Sequence, residues 1–214
     1  MSGIGRVAGV SWIAAAITFW LAWFLMPLPG TADAAFILEQ VGASSRSVWW
    51  SVVFQLVSSA LFVPALLGLV MDSRVRESVA GFAGATIFGV GVTGLAADAI
   101  YHLVAYEMSL PGLTREAMLP VMQRFQSADL VFVAPQLLAL LGGMGFLGWS
   151  AARAGAASRW VPRLLALALG VALAGGAAVR ASGGAGRRAL ALGVLALFSL
   201  AVAELGLGLW RVRS

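Results

Sequence analysis

Six stretches of this chain run 18 residues or more with almost no charge, and that recurrence limits what the chain can fold into. Each is long enough to cross about 30 Å of hydrocarbon. The stretches cover roughly residues 7–27, 48–71, 79–105, 129–150, 160–181 and 188–210. In lipid every backbone N–H and C=O must be satisfied internally, which leaves helices or a closed barrel. A barrel needs alternating segments of about ten residues, and none occur here. The fold class expected is therefore an all-α membrane protein, a bundle of six transmembrane helices in one polytopic domain over 1–214.

Composition agrees. Of the residues, 61% are hydrophobic and 11% are charged, against roughly 25% charged in a soluble domain. Without cysteine, disulfides and thiolate chemistry are excluded. All 14 basic residues are arginine and the formal charge is +5. They are scattered, with no basic stripe for a phosphate backbone to follow, so nucleic acid is not an expected partner. The run from Val7 to Met26 is about twice the length of a signal-peptide core, and reads as a first span.

Arginine placement gives the orientation. With the N-terminus inside, Arg6, Arg74, Arg76, Arg153, Arg159, Arg163, Arg211 and Arg213 fall on the cytoplasmic side. Arg46, Arg115, Arg124, Arg180, Arg187 and Arg188 fall outside, a margin of eight to six. The inner connections are short and basic, and the two long outer ones are mixed in charge. Both termini are thus expected in the cytoplasm of a bacterial inner membrane. Trp20, Trp23, Trp49 and Trp50 would form an outer aromatic belt, and Trp149, Trp160 and Trp210 an inner one.

The first and third loops, both outer, each suggest a short amphipathic helix. "ADAAFILEQVGASSRS" gathers Phe36, Ile37 and Val41 on one side. "TREAMLPVMQRFQSA" gathers Met118, Met122 and Phe125 behind Thr114 as N-cap. Such helices lie in the interface or pack on the bundle top; the pattern fits both. A faint repeat puts Gln-Leu about eight residues into the second and fourth spans, as parallel repeats in transporters would.

Ionisable residues inside spans usually face the bundle interior and mark function. Around Asp98 in the third span, Gly84, Gly91, Gly94, Tyr101 and His102 share one helical face, and small residues let neighbouring helices approach. Asp98 would lie roughly 10 Å below the outer boundary, with His102 shallower. Gln55, Gln136, Ser58 and Ser59 enter from the same side to similar depth. Pro135 leaves the carbonyl of Val131 without its helical donor. The candidate ligand-binding residues are Asp98, His102, Tyr101, Gln55, Gln136, Ser58 and Ser59.

An Asp and a His at i and i+4 can pair. The carboxylate favours imidazolium while burial opposes both charges, and such a couple can exchange a proton near neutral pH. It suits a cationic or hydrogen-bonding ligand, or it holds three helices in register. A metal site is not expected, since His102 is the only histidine and a catalytic zinc usually has three protein ligands. No cofactor is expected. No Gly-x-Ser-x-Gly motif appears, so catalytic residues stay unassigned. Glu204 lies near the opposite end, beside Arg211 and Arg213, and suits a snorkelling ion pair.

Four stretches together carry a resemblance: "RVAGVSWIAAAI", "ADAAFILEQVGAS", "FLGWSAARAGAASRWVPRLLAL" and "AELGLGLWRVRS". Over nearly its whole length the chain resembles the bacterial six-span membrane proteins classed under a domain of unknown function. Arg6, Arg153, Trp160, Glu204, Leu207 and Trp210 match that family's outline, although Trp160 precedes Pro162 instead of following it. Asp98 and His102 lie outside its pattern. The resemblance implies six spans and no particular activity.

Three functions remain open. One is a binder, transporter or sensor of a small molecule or lipid. Another is an accessory subunit for a membrane-protein partner or a second copy of the chain. The third is an intramembrane enzyme, which needs a nucleophile or metal close to His102.

Overall fold

A computed structural model describes residues 2–27, 33–71, 73–179 and 183–211. Arg180 and Arg213, used above for orientation, lie outside the described residues, as do the side chain of Arg74 and the end of the expected fifth span. Among the described residues every regular element is a helix. The helices are α1 (Ser2–Leu25), α2 (Ala34–Ala43), α3 (Ser45–Val70), α4 (Ser73–Arg76), α5 (Val79–Met108), α6 (Arg115–Phe132), α7 (Ala134–Arg153), α8 (Trp160–Val179) and α9 (Gly183–Arg211).

Five stretches are long and apolar enough to cross a membrane: Gly3–Leu25, Ser45–Val70, Val79–Met108, Arg115–Arg153 and Gly186–Arg211. The fully described part of α8, Trp160–Gly175, ranks with the shorter apolar helices. Among the described residues, then, five helices meet that measure of length and composition, and the sixth expected span is only partly described.

The long helices run antiparallel, and two kinds of contact join them. Serines on one face of α3 donate to backbone carbonyls of α1: Ser47 to Leu25 (2.7 Å), Ser51 to Ala22 (2.7 Å) and Ser58 to Ala15 (3.0 Å). Such bonds between helices replace the hydrophobic drive that lipid removes. Close glycine contacts supply the rest. Gly9 on α1 meets Gly206 on α9, and Gly84, Gly91 and Gly94 on α5 lie against Leu147, Leu140 and Gln136 on α7. From α7, Gly143 answers against the backbone of Phe88. Between these seams sits an aromatic core. Trp12 meets Phe62 edge-on at 5.6 Å, and Phe62 meets Phe88 at 5.2 Å, geometries that favour the ring quadrupoles.

One end of the bundle is capped. The Asp33 carboxylate accepts from the amides of Ala35 and Phe36 to start α2, and the Thr114 hydroxyl accepts from Ala117 to start α6. Ile37, Leu38, Val41 and Met122 are buried together with Met26, Tyr101 and Ala105. One face of each of these two helices packs on the bundle top. Leu38 takes the place expected for Phe36, which is only partly buried. Arg115 pins the two cap helices together, donating to the Ala35 carbonyl (3.0 Å) and pairing with Glu39 (3.2 Å).

Nor does the fourth helix begin at residue 129. Instead α6 continues through Asp129 to Phe132, turns at Val133, and α7 begins at Ala134. The amide of Val133 closes α6 on the Asp129 carbonyl (2.8 Å), and that of Leu137 opens α7 on Val133 (3.0 Å). Pro135, in the first turn of α7, has no N–H to continue the ladder, and that locates the break.

Trp49 and Trp50 are exposed at the capped end, and Trp149, Trp160 and Trp210 at the other. Trp23, expected in the outer belt, instead turns partly inward and packs on the core.

Candidate functional site

Beneath the cap, α5 carries Asp98, Tyr101 and His102 on its packed side. The glycines one and two turns earlier bring α7 close, so the Asp98 side chain is directed toward α3. There the Gln55 amide donates to Asp98 Oδ2 at 2.9 Å. Gln55 is fully buried and Asp98 is 5% exposed. His102 Nδ1 lies 3.4 Å from the same Oδ2, a close contact without hydrogen-bond geometry. Its ring meets Trp23 of α1 edge-on at 6.2 Å and Tyr101 at 5.4 Å. Asp98, Gln55 and His102, taken from the sequence, are thus brought together.

The two serines are not directed at Asp98. Ser58 donates to Ala15, and Ser59 donates to the Gln55 carbonyl (3.0 Å). Their hydroxyl protons serve helix packing. Ser59 holds the backbone at Gln55, a back-bond of a kind that often bends a helix slightly.

Gln136 also reaches α5, at a different place. Its carbonyl oxygen accepts from Thr93 (3.0 Å) and its amide donates to Phe132 (2.9 Å) at the α6–α7 break. The two Gln-Leu pairs therefore both lean on α5 but do not share a site.

Sequence reasoning missed Asp129. It lies on α6, one turn after Phe125, so the two share a face. Phe125 stacks on Tyr101 with centroids 5.5 Å apart and planes within 2°. That stack directs Asp129 toward the cluster, where it acts electrostatically on Tyr101 and His102 and interacts with Asp98. A carboxylate four residues after an aromatic on the amphipathic face was the available signal.

The cluster thus draws on four helices: Trp23 from α1, Gln55 from α3, Asp98 and His102 from α5, and Asp129 from α6. Four of its buried polar atoms have no hydrogen-bond partner in the protein: Trp23 Nε1, Gln55 Oε1, His102 Nδ1 and Asp129 Oδ1. Two carboxylates and an amide oxygen make the cluster rich in acceptors, which a cation or a multiple hydrogen-bond donor complements. Among the described residues no group of three His, Cys, Asp or Glu side chains is arranged to hold a metal ion. Glu204 stands at the far end: its neighbour two residues on, Gly206, lies against Gly9 near the start of α1. Comparison with protein families, curated proteins and solved structures finds no match for this chain.

Proposed function

We propose that the chain is a six-span protein of the bacterial cytoplasmic membrane that binds a small cationic or hydrogen-bond-donating ligand under its outer cap. Residues 160–181 form the remaining span, and both termini face the cytoplasm. Support for that orientation comes from exposed Arg6, Arg153, Arg159, Arg163 and Arg211 at the uncapped end. The resemblance to the bacterial six-span family goes with this reading and adds no chemistry to it.

The observation that carries the binding role is the set of four buried atoms without a hydrogen-bond partner, Trp23 Nε1, Gln55 Oε1, His102 Nδ1 and Asp129 Oδ1. Each such atom costs about 1–3 kcal/mol in lost solvation. A purely structural lock has no reason to keep four of them in one cluster. A site for a hydrogen-bonding ligand does, because binding removes that cost. The imidazole also gives the site a group of the kind that exchanges a proton near neutral pH, which suits a sensor or a proton-linked transporter.

A second reading draws on a different observation. The 2.9 Å bond from Gln55 to Asp98 joins α3 to α5 directly, and alone it would make the cluster a helix lock. Thermal unfolding of the purified protein against a panel of small primary and quaternary ammonium compounds separates the two. Binding predicts stabilisation of the wild type by at least one compound, and none by that compound in Asp98→Asn. A lock predicts that Asp98→Asn melts lower while no compound acts on either protein. Stabilisation that survives Asp98→Asn removes Asp98 from any binding role.

A further inference from the structure

The opposite end of the bundle holds a second chemistry, independent of the Asp98 cluster. Helix α7 ends at Arg153 in a Schellman turn. Gly155 takes φ +68°, the amide of Ala156 bonds back to Ala151 (2.9 Å) and that of Gly155 to Ala152 (3.3 Å). This left-handed residue reverses the chain, and α8 starts five residues later at Trp160. The tight reversal brings Arg153, Arg159 and Arg163 around one groove of about 540 Å³, with Trp149 and Pro162 also in its wall.

Two of these guanidiniums are held by rings. Arg153 lies over Trp149 at 5.6 Å and Arg163 over Trp160 at 5.1 Å. None of the three has a carboxylate partner among the described residues. Stacked guanidiniums keep their N–H fork free for a phosphate, which they match in a bidentate way.

From Trp149 a second, mainly apolar groove of about 410 Å³ climbs α7 past Phe146, Gly145 and Gly142. Nothing lies within 4 Å of where a Cβ would stand on Gly142 or Gly145, so this stripe is open. These residues follow i, i+3, i+4, i+7 spacing and form one continuous face. From Arg153 up to Gly142 the helix rises about 16 Å at 1.5 Å per residue. One leaflet of hydrocarbon is about half of 30 Å. A cationic groove at the foot of an apolar one, over that height, has the dimensions and polarity of a single lipid.

We propose that the α7–α8 hairpin binds one anionic phospholipid of the leaflet at this end. Its phosphate lies among Arg153, Arg159 and Arg163, and one acyl chain runs along Gly145 and Gly142. Charge complementarity selects the occupant. Three unpaired guanidiniums favour a net-negative headgroup over a zwitterionic one, and the open glycine stripe favours a lipid over a free phosphate.

The test uses the full-length protein in nanodiscs of equal phosphatidylglycerol and phosphatidylcholine, extracted into mild detergent, with retained lipid counted by native mass spectrometry. The wild type should retain phosphatidylglycerol in clear excess. Arg153→Gln with Arg163→Gln should lower that excess by about fivefold for each arginine removed. Arg46→Gln with Arg124→Gln removes two exposed charges from the capped end and should leave it unchanged. Gly145→Leu fills the apolar groove and should lower the number of lipids retained while keeping the headgroup preference. Equal retention of both lipids by the wild type overturns the proposal. So does undiminished excess in Arg153→Gln/Arg163→Gln, or an equal loss in the capped-end pair. Undiminished retention in Gly145→Leu overturns the acyl path.

Discussion

Replacing Gly84 by alanine tests whether backbone-to-backbone packing holds α5 on α7. An added Cβ at Gly84 would stand 2.7 Å from the Leu147 amide nitrogen and 2.9 Å from Phe146 Cβ. Ordinary contacts of this kind lie near 3.5–4.0 Å, so α7 must retreat by about 1 Å. Local yielding is closed off, because Gly91, Gly94 and Gly143 are wedged along the same seam and the nearest atom is backbone. Overpacking of this sort costs about 1–3 kcal/mol. Alanine returns about 0.8–1.0 kcal/mol of helix propensity, so the net loss is about 1 kcal/mol, with a range of about 0–2. Gly193→Ala is the matched control. That glycine is exposed on α9 with nothing within 4 Å of its Cβ position, so only the propensity gain applies. The difference between the two variants isolates the overpacking. At about 2–4 °C per kcal/mol for a chain of this size, Gly84→Ala should melt roughly 2–12 °C below Gly193→Ala in the same detergent. If Gly84→Ala melts at or above Gly193→Ala, the seam is not close-packed and the packed face of α5 has been assigned wrongly.

Two smaller perturbations probe other joints. Ser51→Ala removes the 2.7 Å bond to the Ala22 carbonyl, and unfolding should register a loss of about 0.6 kcal/mol and at most about 1.7. Adding Ser58→Ala, about 10 Å further along α3, should add a similar loss independently; no change in the double variant would mean that the serines do not join α1 to α3. Gly155→Ala forces a Cβ into φ +68° and should cost about 1–2 kcal/mol. Gly155→Asn should cost less, since asparagine tolerates that conformation; equal melting of all three proteins would mean the Schellman turn does not form.

Helix positions were legible because the bilayer acts as a uniform solvent: any run long enough to cross it must satisfy its own backbone, so hydropathy alone finds α1, α3, α5 and α9. The Asp98 side of α5 was legible too, because Gly84, Gly91 and Gly94 mark a packed face by their spacing. Partner identity is a different matter. Gly94 does meet the fourth span, but through Gln136 Cβ, and the Gln136 side-chain oxygen turns away to accept from Thr93. The carboxylate that this part of the chain brings to the cluster is Asp129, seven residues earlier, about 10 Å of helical rise. That exchange follows from where the helix breaks. Hydropathy sees one polar-to-apolar transition near residue 129 and starts a span there, whereas Pro135 sets the break at Val133 and leaves Asp129 on α6. The Tyr101–Phe125 stack then fixes the face of α6 that looks down. Periodicity reports which side of a helix is packed. Only the break and the ring stack decide which neighbour supplies the charge, and both depend on contacts between residues far apart in sequence. The same dependence ties the cap to the site: α6 contributes Met122 to the cap core and Asp129 to the cluster, so whatever loosens the α2–α6 contact also moves a carboxylate away from the cluster.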